Sequence, residues 1–210
     1  MRLDDRHTMT DGVPLKRHAR VSMLDGMTTT PATTTTTSAK PTHHVFHPDP
    51  AMVRRAIERR SVATLATVSG KGRPHAATVL YQCVDDALFD STHRESRKAR
   101  NVADNGVAAV TIAVRRLPIG PPASIQLQSS AAVLTNDDPE VIRLATAGRL
   151  NRITAHGEMD IDGGCFLRLA LPARVVSSAL GMSLWRVIRN PLDAAGEVDL
   201  RTSRRSKDPR

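Results

Sequence analysis

Residues 60–92 read RSVATLATVSGKGRPHAATVLYQCVDDALFDST, and the parsing of this stretch decides the fold. Val62 to Val68, His75 to Gln82 and Ala87 to Ser91 are short runs rich in β-branched and apolar residues, each bounded by turn residues. Ser69, Gly70, Lys71 and Gly72 supply the first turn, Pro74 is tolerated where a strand begins, and Asp85 with Asp86 supplies the second. The pattern predicts three strands of a meander.

Immediately downstream, residues 91–101 read STHRESRKARN. Here the strand that ends near Ser91 hands over to a helix, because Ala99, Val102 and Ala103 recur at helical spacing until Asn105 and Gly106 give a stop signal. This places Ser96, Arg97 and Lys98 in the first helical turn. At such a turn the backbone N–H groups lack intrahelical acceptors and the helix dipole is positive, so an anion is favoured before any side chain is counted. Arg97 adds a fork of donors and Lys98 a compact charge. The alternative for these basic residues is a solvated helix face.

Further out, Asp49 followed by Pro50 opens a helix with Val53, Ala56 and Ile57 on one face and Arg59 and Arg60 at its end. Val107 to Val114 alternates as a strand, residues 115–122 form a loop, and Ser124 to Leu134 is another strand. Asp138 caps a helix opened by Pro139 that runs to Gly148. Cys165 to Leu171 and Ala173 to Ser177 read as two strands broken by Pro172. Leu184, Val187 and Ile188 fit an amphipathic helix carrying Trp185, Arg186 and Arg189. Six or seven short strands with few helices predict a mainly β fold of barrel type.

In element order from Pro50 to Gly181 the chain resembles the flavin-binding split β-barrels related to pyridoxamine 5'-phosphate oxidase, some of which use a deazaflavin. ATLATVSGKGRPHAATVLY and STHRESRKARN carry the likeness best, and SIQLQSSAAVL carries it more loosely. The resemblance implies a six- to seven-stranded split β-barrel of the FMN-binding type over residues 48–192. It also implies that Ser96, Arg97 and Lys98 hold the cofactor phosphate beside Ser91 and Thr92, and that the strand through His75, Thr78 and Val79 passes under the isoalloxazine ring. Gln126 matches a glutamine near the ring, whereas Ser129 stands where the family has glycine. Asn101, one turn beyond Arg97, either orients it, touches the phosphate or is an exposed helix residue. His75 is a ring contact or an ordinary strand histidine. FMN is the implied cofactor, with deazaflavin and haem as alternatives. The family also implies a homodimer with cofactor sites at the interface, because one open half-barrel cannot bury a ring on both faces.

Composition sets the remaining bounds. Aromatic residues are only 2%, so a core must be built from Val, Leu, Ile and Ala. The net charge of +9 sits largely in the ends, since residues 1–47 hold six basic and four acidic residues and residues 201–210 hold five and one. Stacking platforms are scarce and no DNA-binding motif spacing occurs, which argues against nucleic acid as the partner. Residues 27–42, MTTTPATTTTTSAKPT, lack large apolar side chains, so 1–47 is expected to be a disordered Thr-rich extension and 193–210 a basic flexible tail. No apolar run is long enough to span a bilayer, which leads to an expectation of a cytoplasmic protein. Cys83 and Cys165 are isolated thiols, and His43, His44 and His47 lack acidic or cysteine partners, so no metal is expected.

No catalytic triad or carboxylate pair emerges, which suits chemistry carried by a bound flavin. The expected activity is hydride or electron transfer between the flavin and a small organic substrate. The alternatives are a binding protein on the same fold, holding flavin or haem without turnover, and a polyanion-binding protein acting through its basic ends.

Overall fold

The computed structural model describes residues 46–115 and 123–203; the Thr-rich stretch, the loop before residue 123 and the last seven residues lie outside them. Helix α1 (Pro50–Arg59) opens as its sequence dictates: the Asp49 carboxylate accepts the Ala51 N–H at 3.0 Å, and Pro50 occupies the first helical position. There follow β1 (Val62–Val68), β2 (Pro74–Leu80), β3 (Gln82–Val84), β4 (Ala87–His93), α2 (Arg97–Asn105), β5 (Val107–Val114), β6 (Ala123–Thr135), α3 (Pro139–Thr146), α4 (Asn151–Thr154), β7 (Gly164–Ala170), β8 (Arg174–Ser178), α5 (Leu184–Arg189) and β9 (Ala195–Asp199).

The strands form one antiparallel sheet, ordered β2-β1-β5-β6-β7-β4-β3, with β8 on β6 and β9 on β8. It curls into a half-barrel because β6 changes partner along its length: Ala123 to Ser130 pair with β5, and Ala131 to Thr135 pair with β7. β1, β2, β5, β8 and β9 show the two-residue alternation of a half-buried ladder, whereas β4 and β7, covered on both faces, are buried at successive positions. On β1, for example, Ala63, Leu65 and Thr67 point inward while Val62, Thr64, Ala66 and Val68 face out.

Val53 and Ile57 of α1 and Ala99 and Val102 of α2 close the inner face, packing among Leu65, Val110, Ile112, Ile125 and Leu167. Fully burying each of the larger side chains stabilises the fold by about 1.5–3 kcal/mol. A second, smaller core lies on the other side of β4 and β7, where Phe89 and Phe166 meet Leu144 of α3 and Ile153 of α4.

Three expectations need correction. The sheet has nine strands among the described residues rather than six or seven, in part because the run through Gln82 breaks at Tyr81. Tyr81 is buried, its N–H donates to the Ser61 carbonyl and its hydroxyl donates to the Ile57 carbonyl at 2.7 Å, so the chain turns there from β2 to β3. Burial pushes its phenol well above the ordinary range and keeps it neutral.

Secondly, Ser96 stands just outside the first turn of α2 as its N-cap, and the helix begins at Arg97. Thirdly, residues 193–203 are not a tail. β9 pairs with β8, and Val198 and Leu200 are buried in the main core. The two-residue alternation of Gly196, Val198 and Leu200 carries this strand, but basic flanks conceal it. Gly196 is required there, since a Cβ would collide with the Phe46 carbonyl oxygen. No helix among the described residues is long and apolar enough to cross a membrane.

Candidate functional site

The junction between β4 and α2 is built by short polar contacts. The Ser96 N–H donates to the His93 carbonyl at 2.9 Å, and the Arg94 N–H donates to the Gly163 carbonyl at 2.9 Å, which folds the turn back onto the β7 end of the sheet. The Ser96 hydroxyl oxygen caps α2 by accepting the Ala99 N–H at 3.2 Å, and the Thr92 hydroxyl donates to it at 3.2 Å. Thr92 and Ser96 are thus brought together at the positive end of the helix. Gly106, in the left-handed region at φ 66°, ends α2 and donates to the Val102 carbonyl.

Lys98 reaches inward from this turn. Its Nζ lies 2.7 Å from Oδ2 of Asp90, a β4 residue only 2% exposed. Burial raises the Asp90 pKa, and the Lys98 ammonium opposes that rise through its charge and hydrogen bond. Arg100 is 4.0 Å from Glu95 on the surface. Arg97 is exposed, and its guanidinium has no ion-pair or hydrogen-bond partner among the described residues. Arg94, in the turn before the helix, is exposed in the same way and its guanidinium also has no partner among the described residues, so both arginines stand open to an incoming anion.

One turn on, the buried Asn101 amide donates to the Thr67 hydroxyl at 2.9 Å and ties α2 to the end of β1. Asn105 extends the tie by donating to the Val68 carbonyl. Of the alternatives for Asn101, the exposed one is excluded, since it is 7% exposed.

The remaining sequence-selected residues separate by strand alternation. Thr78 faces outward on β2, whereas Val79 is buried in the core and His75 is half-buried on the same side. Val79 therefore offers no side chain to a ligand on the outer face. Ser91 lies on the opposite face of β4 from Asp90 and Thr92, the face that Phe89 presents to the smaller core, so its side chain does not join the α2 junction.

Gln126 is exposed on β6 and continues a row across the outer face of the sheet. Thr78 pairs with Thr64, Thr64 with Thr111, and Thr111 with Gln126. Alongside runs a row of small residues, Ala76, Ala66 and Ala109, ending at Gln128. Ser129, which replaces the expected glycine, turns inward, and its hydroxyl donates to the Ala170 carbonyl.

Two shallow clefts cross this outer face. One of about 490 Å³ is lined by Ala66, Thr67, Val68, Val107, Ala109 and Ser129. The other, of about 400 Å³, is lined by Thr111, Gln126, Val176 and Glu197 among others, and shares Ala109 and Gln128 with the first. Their small side chains leave a flat floor with carboxamides at one side. Thr67 links the two halves of the arrangement, because it lines the larger cleft and accepts from Asn101 beneath it.

Sequence reasoning missed Asp90 and Thr67. Asp90 falls in phase with Leu88 on an inward face, so an acid at a core position of β4 was the available signal for a partner to Lys98. Burial pushes the Cys83 thiol up to about 11 and raises Cys165 as well, which favours the protonated thiol in both. No group of three or more metal-ligating side chains occurs among the described residues.

The family model for pyridoxamine 5'-phosphate oxidase matches residues 50–170. Among solved structures, a heme binding protein from Mycobacterium smegmatis is similar at 19% identity and TM-score 0.57, over 76% of this chain and 61% of that one. The present chain therefore spans about three fifths of that relative's length. HutZ, a heme storage protein of Vibrio cholerae, aligns at 18% identity and TM-score 0.48 over 60% of this chain and 92% of that one. A FAD-binding protein from Mesorhizobium loti aligns at 15% identity and TM-score 0.46 over 59% and 87%. No curated protein matches the chain.

Proposed function

Because this chain belongs to the pyridoxamine 5'-phosphate oxidase family, whose model covers residues 50–170, we propose that it holds a flavin or deazaflavin and acts as an oxidoreductase on a small organic substrate. The single observation that carries the reading is the α2 junction. There the Thr92 and Ser96 hydroxyls meet at the start of a helix whose first residue is the exposed Arg97 and whose first N–H groups lack intrahelical acceptors. That donor set fits a phosphate-tailed cofactor.

In this reading Arg97 grips the phosphate with parallel N–H donors, and Thr92 and Ser96 contribute hydroxyls. Asn101 fixes the helix to β1 through Thr67, so that the phosphate end is held at a set height above the sheet. The flat outer face, with its alanine row and flanking Thr78 and Gln126, suits the broad side of a tricycle. When bound, the tricycle supplies the hydride or electron transfer; the protein supplies binding, orientation and exclusion of water.

The alternation of β2 and β6 turns Thr78 and Gln126 outward, while Lys98 and Asn101 reach toward the inner face. A second copy of the chain, lying over the outer face, would complete each site. Val62, Val68, Leu80, Val107 and Val176 on that face are 41–57% exposed, an apolar surface that such a homodimer would cover.

A reading as a haem-holding protein takes its support from the Mycobacterium smegmatis heme binding protein, but a likeness at 19% identity carries the fold alone. Absorbance of the purified protein, followed by titration with FMN, a deazaflavin and haemin, tests the choice. Saturable binding of a tricycle that Arg97→Ala weakens supports the flavin reading. A Soret band with no tricycle binding would overturn it.

A further inference from the structure

The two most exposed large apolar side chains among the described residues are Trp185, at 76%, and Ile188, at 60%, and neither belongs to the outer face of the sheet. Both stand on α5 with the exposed Leu184, and spacings of three and four residues put the three on one side of the helix. Val187 turns the other way and packs against the main core, so the helix is seated on the fold. Its approach is fixed as well: Leu180 and Met182 are buried, and a Cβ on Gly181 would stand 3.4 Å from Met52 Sδ of α1. In a chain with aromatic residues at only 2%, the single tryptophan is thus held out on the surface.

The charge around this patch is of one sign. Met52, itself exposed, shares a stripe of α1 with Arg55 and Arg59. Arg54 takes Glu58 of the same helix at 3.0 Å, whereas Arg55, Arg59, Arg186 and Arg189 are exposed without ion-pair partners among the described residues. No acidic residue stands between Asp162 and Asp193 in the sequence. The turn Leu200–Ser203 packs against α1, and the residues that follow it, 204–210, add four basic residues and one acid. Because Val53 and Ile57 of α1 and Val187 of α5 all pack on the inner core, a second copy lying over the outer face leaves this patch uncovered.

We propose that α5, with the neighbouring stripe of α1, is a docking surface for an anionic lipid bilayer. An indole with an apolar body and one N–H sits well at the level of the headgroups, and Leu184 and Ile188 beside it reach the upper acyl chains. The guanidiniums around them then meet lipid phosphates. Duplex nucleic acid would satisfy the arginines but offer the aliphatic side chains only a charged backbone. The contact is peripheral, since a helix of six residues immerses only a few side chains and no helix among the described residues spans a membrane. It does not depend on which cofactor the other face holds.

Trp185 is the only tryptophan, so its emission in the full-length protein reports on this patch alone. With vesicles of phosphatidylcholine and phosphatidylglycerol in equal parts, the emission shifts to the blue, brominated acyl chains quench it, and the protein sediments with the vesicles. Vesicles of phosphatidylcholine alone bind at least about tenfold more weakly. Ile188→Asp, and separately Arg186→Glu combined with Arg189→Glu, each lower affinity for the mixed vesicles by about tenfold or more, with circular dichroism unchanged.

Absence of sedimentation with the mixed vesicles overturns the proposal. So does sedimentation without quenching of Trp185, which would assign the attraction to the basic ends alone; neither observation needs a variant. A blue-shifted emission without lipid that reverses on dilution would put a second copy of the chain on the patch. A shift with duplex DNA and none with vesicles would put nucleic acid there, and either result removes the lipid surface as the occupant.

Discussion

Asn101 donates its side-chain amide to the Thr67 hydroxyl at 2.9 Å, with both residues buried, so the middle helix is fastened by a polar pin to the strand that floors the larger cleft. Removing one partner of such a bond leaves the other without its match. Asn101→Ala is expected to destabilise the protein by about 1–3 kcal/mol, and a double-mutant cycle with Thr67→Val should recover part of that loss. Chemical denaturation of the four proteins measures it.

Arg97 should behave in the opposite way. It is exposed and has no partner among the described residues, so Arg97→Ala leaves stability within about 0.5 kcal/mol of wild type. A charge-assisted hydrogen bond to phosphate is worth about 1.5–3 kcal/mol, which translates into a loss of about tenfold or more in affinity for a phosphorylated tricycle and none for riboflavin. Parallel thermal melts and titrations separate the two effects.

The Asp90 carboxyl gives a pH signature. Burial raises its native pKa above the unfolded value, so its contribution to stability is fully present below the ordinary aspartate range and is lost as pH rises through the raised value. Lys98 limits that loss. Lys98→Met is expected to raise the Asp90 pKa further and to cost about 3 kcal/mol at neutral pH, less in acid. Carboxyl NMR titration and denaturation at several pH values check both parts; a variant whose stability shows the wild-type pH dependence would contradict the assignment.

On the outer face, Val107 is 57% exposed beside the larger cleft. If a second copy covers that face, Val107→Glu places a charge in an apolar contact and yields a monomer of near-wild-type fold with weakened cofactor binding. Light scattering and far-ultraviolet circular dichroism report the two properties independently.

How much of this could be read from residues alone depends on how local each signal is. Asp49-Pro50, Asn105-Gly106 and the alternation of Val62 to Val68 and Val107 to Val114 are local, and the observed α1, α2 stop, β1 and β5 follow them. Tyr81 looked like a continuation of β2 because its turn is imposed by a hydrogen bond to Ile57 across 24 positions. β9 was hidden for a similar reason, since its partner β8 and its neighbour Phe46 lie far away in sequence. At the candidate site, the helix terminus and its basic residues were legible. That Lys98 is claimed by Asp90, that Ser91 faces away and that Asn101 is buried are facts of strand phase and packing.

The close approach of the Phe46 carbonyl to Gly196 has an engineering consequence. The first and last described segments thus meet at one edge, and the short helical turn Leu200–Ser203 also packs against α1. A circular permutant that joins 203 to 46 through a brief linker and reopens at Gly70–Gly72, a turn that carries no strand pairing, should therefore fold to the same half-barrel with its new ends beside the larger cleft.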